Sequence, residues 1–152
     1  MSRSRMFHVG IVVADLDAAS ARFTELLGCA WGPVAENDIE VRDADGNDLV
    51  LPNRICYSTQ EPYLELIQEQ PGTPWVCNEH SNLHHIGFFS DDLVANAATF
   101  ADVRCPLEIV GRDGAVAPVS FTYHRDPLGM RIEHVDAAMR ALMEEWLFQP
   151  PA

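Results

Sequence analysis

Two stretches of the chain repeat one another. Aligning FHVGIVVADLDAASARFTEL (residues 7–26) with HHIGFFSDDLVANAATFADV (residues 84–103) places His8 over His85 and Gly10 over Gly87. Asp15 falls over Asp92, Leu16 over Leu93 and Phe23 over Phe100, always 77 positions apart. A fixed offset of this kind marks an internal duplication. In a chain of 152 residues it restricts the fold to one ordinary domain, or to two small related halves sharing one core.

Each copy opens on a β-branched or aromatic run, VGIVV or IGFF, followed by an acidic residue and then apolar positions at helical spacing. The spacing predicts a helix from about Asp17 to Leu27, with Ala19, Phe23, Leu26 and Leu27 on one face and Gly28 as its stop. A second helix presents Leu93, Ala97 and Phe100 in the same way. Beyond each helix the period changes to that of strands. IEVRD, DLVLP, RICYS and YLELIQ read as strands in the first half, and LEIV, VSFTYH and RIEHV in the second. The turn signals DADGND, TQEP, GRDG and DPLG separate them. Each half is therefore one strand, one helix and about three strands. EQPGTPWVCNEHSN (residues 69–82), rich in Pro, Asn and Gly, reads as the connection. This gives a first module over 6–70, a linker over 71–82, a second module over 83–136, and a terminal helix and tail over 137–152. That last helix, about Asp136 to Phe148, is expected to turn Ala138, Leu142, Trp146 and Leu147 toward an apolar surface on this chain or on a second subunit.

Acidic residues outnumber basic ones 23 to 10, and every one of the ten cations is Arg. A net charge of −13 excludes a nucleic-acid partner, which needs clustered cations, and the missing Lys removes Schiff-base chemistry. No stretch approaches the roughly 18 apolar residues of a membrane span, so no membrane partner is expected and a cytoplasmic protein is. Cys29, Cys56, Cys77 and Cys105 form no CxxC pair and are expected as reduced thiols.

Strand alternation places His8 and Gly10 on one face of the first strand and Phe7, Val9, Ile11 and Val13 on the other. Glu65 in YLELIQ and Glu133 in RIEHV are carboxylates embedded in otherwise apolar strands, which is costly without a cation. Arg54 or Arg42 could supply it for Glu65, and Arg125 or Arg131 for Glu133. A metal ion is the other candidate, and the repeat favours it. Each half offers one His from its first strand and one Glu from its last, His8 with Glu65 and His85 with Glu133. A pseudo-twofold arrangement would converge them. Two neutral imidazoles and two carboxylates balance a divalent ion and suit Zn, Ni, Co, Fe or Mn. His84 points to the opposite face from His85, while His80, His124 and His134 lack a counterpart in the other half and are expected to be structural or to support ligands.

With FHVGIVVADLDAA, YLELIQ, LHHIGFF and DPLGMRIEHV, residues 6–136 resemble the vicinal oxygen chelate superfamily, which includes glyoxalases, methylmalonyl-CoA epimerases, extradiol dioxygenases and bleomycin-resistance proteins. The resemblance implies an α+β fold of two βαβββ modules, forming a cleft-like open barrel with the C-terminal helix added, and a homodimer. It implies metal ligands on the first and last strands of each module, which carry over to His8, Glu65, His85 and Glu133. The run from YLELIQ through a Pro-containing linker to LHHIGFF is most similar to the epimerases and their glyoxalase-like relatives. Epimerases commonly carry Gln where this chain has Glu65, a departure toward glyoxalase-type ligation. They also use a second acid from the first half as a base. Glu36, Asp38, Glu40, Asp43, Asp45 and Asp48 lie in that region, none in a recognisable motif.

An octahedral ion with four protein ligands keeps about two positions for neighbouring oxygens of a substrate. The expected function is a metal-dependent lyase, isomerase or epimerase that stabilises an enolate of a small carbonyl or acyl-thioester substrate. Glu133 and Glu65 are the catalytic candidates, and Glu133 is the ligand expected to serve also as base. One alternative is an Fe(II) dioxygenase using His8, His85 and Glu133, in which Glu65 would crowd the oxygen site. Another is a non-catalytic binding or resistance protein whose cleft is lined by Trp31, Trp75, Phe88 and Phe121.

Overall fold

A computed structural model describes residues 5–112 and 118–150 of the chain, with side chains left out at 118–119. In chain order the elements are β1 (Met6–Val13), α1 (Leu16–Leu27), β2 (Ala35–Asp43), β3 (Asp48–Tyr57), β4 (Tyr63–Gln68) and β5 (Leu83–Ser90). They continue with α2 (Leu93–Asp102), β6 (Leu107–Arg112), β7 (Pro118–Arg125), β8 (Arg131–Asp136), a 3-10 turn (Ala137–Met139) and α3 (Arg140–Trp146). The class is α+β, and each half runs strand, helix, three strands. The turn expected at 111–114 lies partly outside the described residues.

Backbone contacts divide the chain into two compact units. The first holds Phe7–Asn37, Pro52–His84 and the chain from Ala141 onward; the second holds Asp38–Leu51 and His85–Arg140. In the first unit β1 runs parallel to β4, and β4 antiparallel to β3. In the second, β5 runs parallel to β8, followed by antiparallel β7, β6 and β2.

Local chemistry explains why both helices start where they do. Asp15 and Asp92 are the N-caps, each accepting a 2.9 Å hydrogen bond from the amide three residues on, Ala18 and Ala95. Gly28 ends α1 in the left-handed region at φ 70°, its amide bonding the Thr24 carbonyl. At the corresponding end of α2, Arg104 takes that conformation at φ 64°, which costs a side chain more than it costs glycine.

Under α1, the Ile11 and Val13 face of β1 joins Leu66, Cys56 and Leu16 in a dry cluster, with Phe23 and Trp31 against it. Fully burying side chains of this size contributes about 1.5–3 kcal/mol each. Two side chains fasten β4: Ser58 Oγ accepts from the Leu64 amide at 2.8 Å. At the other end Gln68 accepts from the Leu16 amide at 2.9 Å and donates to the Ala14 carbonyl at 2.6 Å.

Three expectations need correction. DLVLP and RICYS are one continuous strand, β3, through Pro52, because a proline fits a strand where no ladder bond needs its missing N–H. Leu26 and Leu27 are 59% and 63% exposed, since only the first two turns of α1 lie over the strands. The terminal helix is shorter than expected; on this chain it buries Met143, Leu147 beyond its end is half-buried, and Ala138, Leu142 and Trp146 are exposed. Phe148, past the helix end, is buried because its amide folds back onto the Met143 carbonyl.

Candidate functional site

Each unit buries a histidine against a glutamate. In the first, His8 Nε2 stands 3.5 Å from Glu65 Oε2; in the second, His85 Nε2 stands 3.4 Å from Glu133 Oε2. All four residues are between 0% and 6% exposed. The pairing follows from strand register. Gly10 of β1 is level with Glu65 of β4, and Gly87 of β5 is level with Glu133 of β8. Level residues of a parallel pair share a face, so a side chain at either glycine would lie against the carboxylate. Glycine leaves that space open, and the carboxylate reaches the imidazole two residues back along the strand.

A tyrosine completes each group, and sequence reasoning missed both. Tyr57 on β3 is level with Glu65, and Tyr123 on β7 is level with Glu133. Both rings are buried. Tyr57 Oη donates to Glu65 Oε1 at 2.5 Å, and its ring centroid lies 5.6 Å from that of His8. The Tyr123 ring lies 5.1 Å from that of His85. The missed signal was a Tyr in the strand just before each Glu-bearing strand, within RICYS and within VSFTYH.

The arginines considered as partners for the two glutamates bond elsewhere. Arg54 pairs with Asp17 and Glu36, Arg42 with Asp48, and Arg131 and Arg125 with Glu108. The paired arginines hold the Asp48 and Glu108 carboxyls below the usual range: a hydrogen bond from Arg42 leads at Asp48, while at Glu108 burial pushes up and Arg131 and Arg125 together outweigh it. Of the six acids between 36 and 48, five are exposed and Asp43 is half-buried in its own turn. None stands as a buried base.

The other histidines sort as expected. His84 turns away from His85 and bonds the Pro74 carbonyl at 3.0 Å, and His80 is exposed. His124 and His134 pack together beneath α2, with Phe100 at 5.0 and 4.8 Å from their rings. They occupy the strand face opposite Tyr123 and Glu133. Of the aromatics proposed to line a binding cleft, Phe88 and Phe121 lie on opposite faces of the second unit's strands. Trp31 packs on Phe23 and bonds the Ser20 carbonyl of α1, Phe88 lies beside His134, and Phe121 neighbours Tyr123. Trp75 is buried, its amide bonded to Thr73 Oγ1.

All four cysteines are free thiols. Burial, and then the nearby Glu65 charge, pushes the Cys56 thiol up to about 12, so it stays protonated and is no nucleophile. No described helix is long and apolar enough to cross a membrane.

The donor chemistry of each pair fits a divalent ion: an imidazole Nε2 and a carboxylate Oε2 lie side by side and buried. Residues 7–123 match a family model described as the glyoxalase/bleomycin resistance protein/dioxygenase superfamily. Among solved structures, methylmalonyl-CoA epimerase from Mycobacterium tuberculosis is 20% identical with a TM-score of 0.62, over 93% of this chain and 95% of that one. A Streptomyces coelicolor methylmalonyl-CoA epimerase variant in complex with 2-nitronate-propionyl-CoA is 22% identical, with a TM-score of 0.60 over 89% and 95%. A methylmalonyl-CoA epimerase in complex with methylmalonyl-CoA and ammonium is 22% identical, with a TM-score of 0.59 over 89% and 95%. At these identities the likeness is one of fold. No curated protein matches in sequence.

Proposed function

Because the chain belongs to the glyoxalase/bleomycin resistance protein/dioxygenase superfamily, we propose that it is a metal-dependent lyase, isomerase or epimerase acting through an enolate. His8, Glu65, His85 and Glu133 hold one divalent ion, Zn, Ni, Co, Fe or Mn. The observation that supports this most is the buried imidazole–carboxylate pair built twice, by the same register, at 3.5 and 3.4 Å.

When bound, the ion supplies Lewis acidity to two neighbouring oxygens of a substrate. The chain supplies the rest. Both imidazoles offer Nε2. Glu65, gripped by Tyr57, stays in place, while Glu133 takes the proton next to the activated carbonyl at its carboxylate and returns it. The substrate is a small 2-oxo compound or an acyl thioester; acyl-CoA compounds are the first to test because similar structures hold them. The proposed assembly is a homodimer.

Metal analysis of the purified protein, followed by solvent deuterium exchange into candidate 2-oxo and acyl-CoA compounds, tests this reading. His85→Ala is expected to abolish tight metal binding and exchange together. Full metal occupancy in that variant rules the ligand set out.

A further inference from the structure

We propose that Tyr57 is the positioning residue for Glu65: its hydroxyl holds Oε1 so that Oε2, on the His8 side, is the oxygen presented to the ion. This rests on the reading of Glu65 as a metal ligand. Three contacts fix the phenol. Its Oη donates to Glu65 Oε1 at 2.5 Å, its ring stands edge-on to His8 at 5.6 Å, and Phe148 packs edge-on against it at 5.2 Å. Phe148 in turn stacks on Tyr63 at 3.9 Å and 17°. Tyr57 is thus wedged between the imidazole and the chain's C-terminal segment, 4% exposed, with its hydroxyl aimed at the carboxylate.

Two consequences follow from the chemistry of such a bond. A carboxylate with Oε1 committed to a phenol binds an ion through one oxygen rather than two, which preserves coordination positions for substrate. The bond also holds the carboxylate in one orientation before an ion arrives, so less side-chain freedom is lost when it binds. Partners of this kind typically change metal affinity by about 10–100-fold when removed.

The test is Tyr57→Phe, which keeps the ring and removes the hydroxyl. In metal-free protein, carbon-13 NMR of labelled Glu65 is expected to show a carboxyl that samples more than one orientation, where the wild type shows one. In Co(II) titrations at pH 7.5, affinity is expected to fall about tenfold and the visible Co(II) bands to change as Glu65 shifts toward two-oxygen binding. Phe148→Leu, which keeps the hydroxyl but loosens its backing, is expected to shift the same readings less, and serves if Tyr57→Phe does not fold. An unchanged Glu65 carboxyl signal, or unchanged affinity and spectrum, overturns the proposal. Wild-type protein that binds no Co(II) overturns the metal reading instead, while the Glu65 carboxyl signal in metal-free protein still decides whether Tyr57 positions Glu65.

Discussion

Beneath α1 the strands present Cys56 and Leu66 to Phe23; at the matching places beneath α2 they present Thr122 and His134 to Phe100, with His124 alongside. On their other faces the two units repeat residue for residue: histidine, glycine, glutamate and tyrosine in the same register. One side of the scaffold is therefore held to a single chemistry while the other is held only to filling space beneath a helix. The second unit fills it with imidazoles that must stay neutral. Burial, reinforced by His124 and opposed by Glu133, pulls His134 down to about 4, and burial lowers His124 as well. His134 Nδ1 has no hydrogen-bond partner among the described residues.

The sharpest way to break the contrast is to place the second unit's residue in the first. Leu66→His buries an imidazole where Cys56, Val13 and Phe23 offer no partner, and is expected to cost about 4 kcal/mol in denaturant unfolding. A loss below about 1 kcal/mol would show that both helix-facing layers accept polar groups, and the distinction would fall.

Acid sensitivity gives a smaller effect. His134 titrates lower folded than unfolded, so the unfolded chain binds protons first: stability is full above about pH 6.5 and declines as pH falls toward 4. The expected loss is about 3 kcal/mol. His134→Leu, the first unit's choice, should remove most of that decline in melts run across this range. A decline that survives the substitution would assign it to other groups.

The smallest test compares the helix ends. Arg104→Gly should stabilise by about 0.5–1 kcal/mol by relieving the left-handed residue after α2, whereas Gly28→Ala should destabilise by about 1 kcal/mol. Equal and negligible changes at both would mean that neither conformation is strained.

Much of this was legible in the sequence because period-two alternation and a constant offset act together. They place His8 and His85 on equivalent faces and send His84 to the other side, and helical spacing ends the first helix at Gly28. The chemistry linking strands was harder to see. Tyr57 precedes Glu65 by eight residues and Tyr123 precedes Glu133 by ten; turns of different length hide a relation that exists only across the ladder. Helical spacing likewise gives a face but not how far that face is covered. Leu26 and Leu27 therefore read as core although they project past the strands, and a terminal helix of seven residues is too short for periodicity to choose Met143 over Leu142. Pro52 reads as a break because sequence alone does not show which strand bonds are needed at that point.

The fasteners on β4 act on states that are never observed. Because side chains alternate with a period of two, sliding β4 by one residue would push Glu65 into the dry layer under α1 and turn Leu66 toward His8. Such a slip would also detach Gln68 from the Leu16 amide and the Ala14 carbonyl, and Ser58 from the Leu64 amide. These contacts work like stops on a ruler, and their main effect is to penalise the neighbouring misreading of the same sequence.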